Sequence, residues 1–141
     1  MVVPKFRVAF KNKFLGEVGS IDFVDETVTI PVYDKLDGDY LGDNVWGLNQ
    51  VTLMQSTGLF DNSIPKKEIF ESDIVEWEHK DTRQLVRGIV KYDTELGFWG
   101  MTDVRFNDLT PIGYLANQKV TVLGDIYENK EFVEELKWLK N

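Results

Sequence analysis

Two residues have the right type for hydrolytic chemistry, a lone histidine and a serine in a polar segment. His79 lies among the charged residues 78–81, and such a run is typical of a solvated hairpin turn rather than of a general base. Ser56 lies in residues 55–58, Gln-Ser-Thr-Gly, with no base near it in sequence. We favour a turn in which the hydroxyls bond local backbone and glycine supplies positive φ. A binding loop at residues 55–58 is the alternative.

Four aspartates, Asp34, Asp37, Asp39 and Asp43, carry the oxygen ligands that calcium prefers. An EF-hand loop needs ligands at positions 1, 3 and 5, glycine at 6 and glutamate at 12. The spacings here are three, two and four residues, and Gly38 does not fall where the loop needs a glycine. We therefore predict a solvated acidic hairpin turning at Asp37-Gly38, and no metal site.

Three basic residues, Arg83, Arg87 and Lys91, recur at every fourth position of a segment predicted to be a strand. One hypothesis is a basic stripe that binds phosphate or nucleic acid. The alternative, which we favour, is cross-strand pairing with Glu76 and Glu78 of the preceding strand. The net charge of −8 opposes nucleic-acid binding, because that binding depends on positive charge that releases phosphate counterions.

Composition limits the classes of protein that this chain can form. Its 141 residues suit one domain or two very small ones, and 43% hydrophobic with 13% aromatic content supplies a packed core. The chain has no cysteine, which excludes disulfides, thiolate nucleophiles and cysteine zinc sites. Residues 1–15 lack the apolar core of a signal peptide, and no apolar run is long enough to span a bilayer. We expect a soluble protein that is not exported and makes no membrane contact.

Alternating apolar and polar residues predict a mainly β chain. The predicted strands and hairpins cover residues 5–10, 14–18, 20–32, 51–55, 73–78, 83–92, 98–101 and 119–127, with residues 56–58 ending one strand and residues 60–67 forming a connection.

The period changes at the end of the chain. Phe132, Leu136 and Leu139 follow helical spacing, and Asn129 is a good N-cap residue, so we predict a helix over residues 130–140. Trp138 lies at the edge of its apolar stripe, where it is available to another subunit.

Residues 53–59, Leu-Met-Gln-Ser-Thr-Gly-Leu, and 67–75, Lys-Glu-Ile-Phe-Glu-Ser-Asp-Ile-Val, resemble the YopX family of phage and prophage proteins. Residues 4–7 and 124–129 agree with the same family, and all four segments occur in family order. The resemblance implies an SH3-like β-barrel and the cytoplasm of a bacterial host. It brings no catalytic residues to carry over.

The sequence departs from that family pattern at two places. Residues 60–66 form a longer segment, containing Pro65, where the family commonly has a short turn, and Ser72 replaces the usual glycine. These differences affect loop geometry.

These observations predict an N-terminal β portion over 1–59 and an SH3-like barrel with a C-terminal helix over 60–141, or one continuous domain. We expect a non-enzymatic phage accessory protein that acts by protein contact or self-association, with no cofactor, metal or small-molecule substrate. The candidate interaction residues are Arg83, Arg87, Lys91 and Trp138. Nucleic-acid binding through the basic stripe is the alternative function, and an enzyme using carboxylates in an unrecognised arrangement is the third.

Overall fold

The computed structural model describes residues 5–11, 13–79, 81–103, 108–112, 119–131 and 134. The described chain is mainly β, as the alternation predicts, and its paired strands are antiparallel. It divides into two compact units, residues 1–55 and residues 56–141.

Unit 1 is built from two small sheets. Its strands are β1 (Phe6–Phe10), β2 (Lys13–Glu17), β3 (Ser20–Asp22), β4 (Thr27–Tyr33), β5 (Tyr40–Gly47) and the first part of β6 (Thr52–Phe60). One sheet has the order β2-β1-β6, and the other has the order β3-β4-β5.

The core of unit 1 forms because alternate residues of these strands are apolar and face inward. Its centre is Val8, Val28 and Ile30, with partly buried apolar side chains around them, Trp46 included. A Cβ on Gly16 would lie 2.9 Å from Cγ2 of Ile30, and Gly16 has φ of +142°. Glycine is therefore required where β2 approaches β4.

Unit 2 is built on a five-stranded sheet. Its strands are the end of β6, β7 (Glu68–Phe70), β8 (Asp73–Glu78), β9 (Leu85–Asp93), β10 (Phe98–Asp103), β11 (Asp108–Pro111) and β12 (Val120–Asp125). The sheet has the order β11-β10-β9-β8-β12, and β7 pairs with the end of β6. The buried core residues are Ile69, Val75, Trp77, Val86, Val90, Met101, Ile112, Val120 and Val122.

Several strand boundaries differ from the predicted ones. Strand β6 does not end at residues 56–58 but continues to Phe60, because Ser56 pairs with Phe70 of β7 and the chain passes through a bulge. Strand β9 begins at Leu85, so Arg83 precedes it, in a turn with φ of +59°. Phe23 lies in the β3–β4 turn rather than in a strand.

The predicted acidic hairpin is confirmed, since β4 and β5 pair across it and Gly38 has φ of +78°. Strand β5 itself was not predicted.

Most of the predicted C-terminal helix lies outside the described residues. Lys130, Glu131 and Glu134 are helical, whereas Trp138 and the apolar stripe are among the residues not described. Among the described residues, no helix has the length and apolar character needed to cross a membrane.

Candidate functional site

His79 lies exposed at the end of β8 and stabilises the turn that leads to β9. Its Nδ1 accepts hydrogen bonds from the backbone N–H groups of Asp81, at 3.2 Å, and Thr82, at 3.3 Å. Its backbone N–H donates to the carbonyl of Gln84, and its carbonyl accepts from Arg83. In the described part of the chain, no hydrogen bond joins His79 to Ser56. The imidazole ring therefore stabilises the backbone of its own turn.

The segment Gln55–Gly58 shows the two features predicted for it, hydroxyl groups that bond local backbone and a glycine with positive φ. It lies within a strand, however, and not in a turn. The Ser56 hydroxyl accepts from the N–H of Gly58 at 3.0 Å, and Thr57 Oγ1 accepts from the N–H of Leu59 at 3.1 Å. Thr57 Oγ1 also donates to the carbonyl of Ile69 at 2.7 Å. Gly58 supplies the positive φ, +78°. The hydroxyls thus hold a bulge in β6 and join it to β7, rather than ending the strand.

The aspartates of the β4–β5 turn use their oxygens to close it. Asp34 Oδ1 accepts from the N–H groups of Leu36, at 2.8 Å, and Asp37, at 3.3 Å. Asp37 Oδ1 accepts from the N–H of Asp39 at 2.8 Å. Across the described ranges, no three histidine, aspartate or glutamate side chains converge in a way that could hold a metal ion.

The three basic candidates do not form one stripe on a strand. Arg87 lies opposite Glu76, and its Nε is 2.9 Å from Glu76 Oε2. Lys91 is exposed further along β9, opposite Gly100 of β10, while Arg83 lies in the preceding turn. The structure therefore joins Arg87 to an acid of the neighbouring strand.

Among the described residues of unit 2, four carboxylates are buried that were not recognised as such from the sequence. They are Asp61, Asp73, Asp103 and Asp125. Asp73 Oδ2 accepts from the N–H of Phe70 at 2.8 Å, and Asp125 Oδ1 accepts from the N–H groups of Tyr127 and Glu128, both at 2.8 Å. A lone aspartate at or next to the end of a strand has no periodic signal, so only its turn-forming type could have suggested these roles.

Asp61 accepts four hydrogen bonds through its two carboxylate oxygens. Its Oδ1 accepts from the N–H groups of Ser63, at 3.1 Å, and Lys67, at 2.8 Å. Its Oδ2 accepts from the Ser63 hydroxyl, at 2.6 Å, and from the N–H of Val122, at 3.0 Å. Burial by itself raises the pKa of Asp61, but these donors outweigh it and hold the pKa below its usual value. The carboxylate therefore fastens the connection after β6 to β12.

The β4–β5 hairpin carries a group of exposed apolar side chains, which we call the hairpin surface: Tyr33, Tyr40, Leu41 and Val45. Each is between 57% and 63% exposed. The rings of Tyr33 and Tyr40 lie 5.9 Å apart. A hydrogen bond with Asp43 raises the pKa of Tyr40, with smaller effects from burial and from the charge of Asp43. The register slips between Val32 and Tyr33, which leaves Leu41 as the extra residue of a bulge.

Comparison with known proteins identifies the family. A family model described as YopX protein matches residues 5–134. The chain belongs to the YopX protein family. Two solved structures are similar to it at low identity, which shows the fold alone. Protein EF1440 from Enterococcus faecalis is 23% identical, with a TM-score of 0.58 over 94% of this chain and 99% of that one. YopX from Bacillus subtilis is 19% identical, with a TM-score of 0.56 over 90% of this chain and 95% of that one. No curated protein matches significantly.

In this YopX-family chain, the segments that carry the predicted resemblance contain side chains that hold backbone groups. Thr57 contacts the carbonyl of Ile69. Asp73 and Asp125 lie opposite each other at one end of the β8–β12 pair, and each accepts from the turn beside it. Residues in the segments that resemble the family thus stabilise the connections between strands.

Proposed function

We propose that this chain is a non-enzymatic phage or prophage accessory protein that acts in the bacterial host cytoplasm by binding another protein or a second copy of itself. The observation that carries the proposal is the hairpin surface. Soluble proteins rarely leave large apolar side chains exposed together except where they contact a partner. Tyrosine, which supplies two of the four side chains, is enriched at interfaces because it has an apolar ring and a polar end.

The hydrogen bonds made by side chains of the family segments support a role other than catalysis. A catalytic group must direct its polar atoms at a substrate. Thr57, Asp73 and Asp125 instead direct theirs at backbone groups of their own unit.

Protein contact is also favoured over the nucleic-acid alternative. The ion pair with Glu76 offsets the charge of Arg87, which lies at the middle of the predicted stripe. A phosphate would then have to compete with a carboxylate that is already in place.

For unit 2 we also propose the finer description as an SH3-like barrel. Its support is the strand order, in which β8 to β11 follow one another as a meander and β12 returns beside β8. This is a proposal about fold, and fold alone does not carry function. An experimental structure in which the two edges of the sheet do not approach each other would overturn it.

The functional proposal is tested by weakening the hairpin surface without removing its strands. The double variant Leu41→Thr, Val45→Thr keeps residues of good strand propensity while it removes apolar area. Leu96→Thr, in an exposed turn of unit 2 where Leu96 is 73% exposed, is the matched control.

Protein that co-purifies after crosslinking in the host is then identified for each variant. The proposal predicts a discrete partner, or a second copy of the chain, that is retained by Leu96→Thr and lost from the double variant. A partner retained equally by both variants, or no partner with the parent, contradicts it.

A further inference from the structure

Strand β5 forms an open edge of its sheet. The order β3-β4-β5 leaves one side of β5 paired with β4, and among the described residues no strand pairs with the other side. Residues 42–47 pair with residues 27–32 without irregularity, so this part of β5 is regular. An unpaired edge offers backbone N–H and C=O groups to an incoming chain.

Strand β12 also lies at the edge of its sheet, but its free side is covered. There the connection after β6 covers the strand. The N–H of Val120 donates to Asn62 Oδ1, the carbonyl of Val120 accepts from the N–H of Asn62, and the N–H of Val122 donates to Asp61. Side chains and backbone of residues 61–62 thus take the place of a further strand. On β5 such cover is limited to its last residue, Gly47, whose N–H donates to Gln50 Oε1 and whose carbonyl accepts from the N–H of Gln50; none is found on residues 42–46 within the described chain.

The usual protections of an edge strand are also few on β5. Natural edges are commonly short, or they carry lysine or proline. Strand β5 has eight residues and contains neither lysine nor proline, whereas β3, at the opposite edge of the same sheet, has three. Only the bulge at Leu41 interrupts β5, and it lies at one end of the strand.

Charge decides which strand would fit this edge. Residues 17–45 carry a net charge of −7, and Asp43 lies exposed within β5 itself. A second β5 would bring like charges together across the new pair, which is destabilising. A strand with lysine or arginine would instead meet Asp43, and its cations could also lie over the exposed rings of Tyr33 and Tyr40.

We propose that the free edge of β5 accepts an extended, lysine- or arginine-rich segment of a protein partner as an added strand. This inference rests on the proposed function and deepens it by naming the binding element and the chemistry of the partner. Backbone hydrogen bonds along residues 42–46 supply attachment, and the charges select the segment.

The test uses the full chain and a blocked octapeptide of alternating lysine and valine as the probe, with calorimetry at physiological salt. We expect saturable one-to-one binding. A peptide in which glutamate replaces lysine should bind at least tenfold more weakly. A lysine peptide with N-methyl groups on all its backbone nitrogens has the same charge but lacks backbone donors on both edges, and it should also bind at least tenfold more weakly.

Two protein variants with the same change in charge locate the site. Asp43→Lys should reduce affinity for the lysine peptide at least tenfold. Glu95→Lys, in an exposed turn of unit 2, should reduce it less than threefold. Hydrogen exchange should slow at the amides of residues 42–46 when the peptide is added.

Equal affinity for the N-methylated peptide, equal loss in the two variants, unchanged exchange at residues 42–46, or no binding of the lysine peptide would each overturn the inference. If the inference fails while a partner is still lost from the Leu41→Thr, Val45→Thr variant, the proposed function stands without it.

Discussion

Replacing Asp61 with asparagine tests how the connection after β6 is held. Asp61 is 1% exposed and accepts four hydrogen bonds, from Ser63 twice, Lys67 and Val122. Asparagine keeps the shape of the side chain but offers one acceptor oxygen. The NH2 group of its amide must face N–H or O–H groups that are themselves donors, and the negative charge of the carboxylate is lost.

The expected cost follows from counting these donors. A hydrogen bond to a charged group contributes about 1.5–3 kcal/mol, and a buried donor left unpaired costs about 1–3 kcal/mol. Lys67 is exposed and Ser63 is half-buried, so water can replace the carboxylate there, whereas Val122 is buried. The loss of stability therefore comes mainly from the buried N–H of Val122, which is left unpaired, and from removal of the carboxylate charge. We expect Asp61→Asn to lower the free energy of unfolding by about 2–4 kcal/mol.

The same contacts predict a pH dependence. The pKa of Asp61 is lowered in the folded chain from its ordinary value of 3.8. The unfolded chain therefore takes up a proton at higher pH than the folded chain does, and stability falls as the solution is acidified. The contribution is present above pH 3.8 and is lost as the pH falls from there through the folded pKa. The stability difference between the parent and Asp61→Asn should narrow over that range.

Urea denaturation followed by tryptophan fluorescence at pH 7 and at pH 3 measures both effects. Asp93→Asn is the control, because Asp93 also accepts two backbone hydrogen bonds, from Glu95 and Leu96, but at an exposed turn. It should cost less than about 1 kcal/mol, since asparagine also forms such turns. A loss below about 0.5 kcal/mol in Asp61→Asn at pH 7, or a difference that does not narrow with acid, would refute the reasoning.

Three further predictions concern packing, metal and nucleic acid. Gly88→Ala should destabilise unit 2 by about 1–3 kcal/mol, because its Cβ would lie 2.5 Å from the carbonyl oxygen of Thr102; an unchanged urea midpoint would disprove this. Millimolar calcium should leave the melting temperature unchanged, and a stabilisation abolished by Asp37→Asn with Asp39→Asn would contradict it. Low-micromolar protein should not shift mixed-sequence DNA or RNA at physiological salt; a salt-sensitive shift abolished by Arg87→Glu would overturn this.

The sequence predicted those strands in which apolar and polar residues alternate along the chain. Strands β1, β4 and β8 are of this kind. Strand β5 was missed because its eight residues include Gly42, Asp43 and Asn44, which are poor strand formers, and because most of its side chains are exposed. Strand β5 forms because it pairs with β4, and not because its own residues alternate between apolar and polar.

The candidate site was less predictable than the strands, since it depends on long-range contacts. Asp61 meets the N–H of Val122, 61 residues away in sequence. The hydroxyl of Thr57 meets the carbonyl of Ile69 in the neighbouring strand, which lets β6 continue where turn-forming residues suggested an end. The pairing of Arg87 with Glu76 was one of two interpretations of the basic residues. The hairpin surface was not recognised, because β5, which carries Tyr40, Leu41 and Val45, was not predicted.

Photo-crosslinking at Val45 tests most directly the claim that this chain acts through the β4–β5 hairpin. A photoreactive phenylalanine analogue replaces Val45 in the full chain expressed in a bacterial host, and Leu96 is replaced in the control. Mass spectrometry then identifies the crosslinked peptide. The account predicts one discrete partner at Val45, joined through an extended segment rich in lysine or arginine, and no such product at Leu96. No discrete product at Val45, or the same products at both positions, would contradict it.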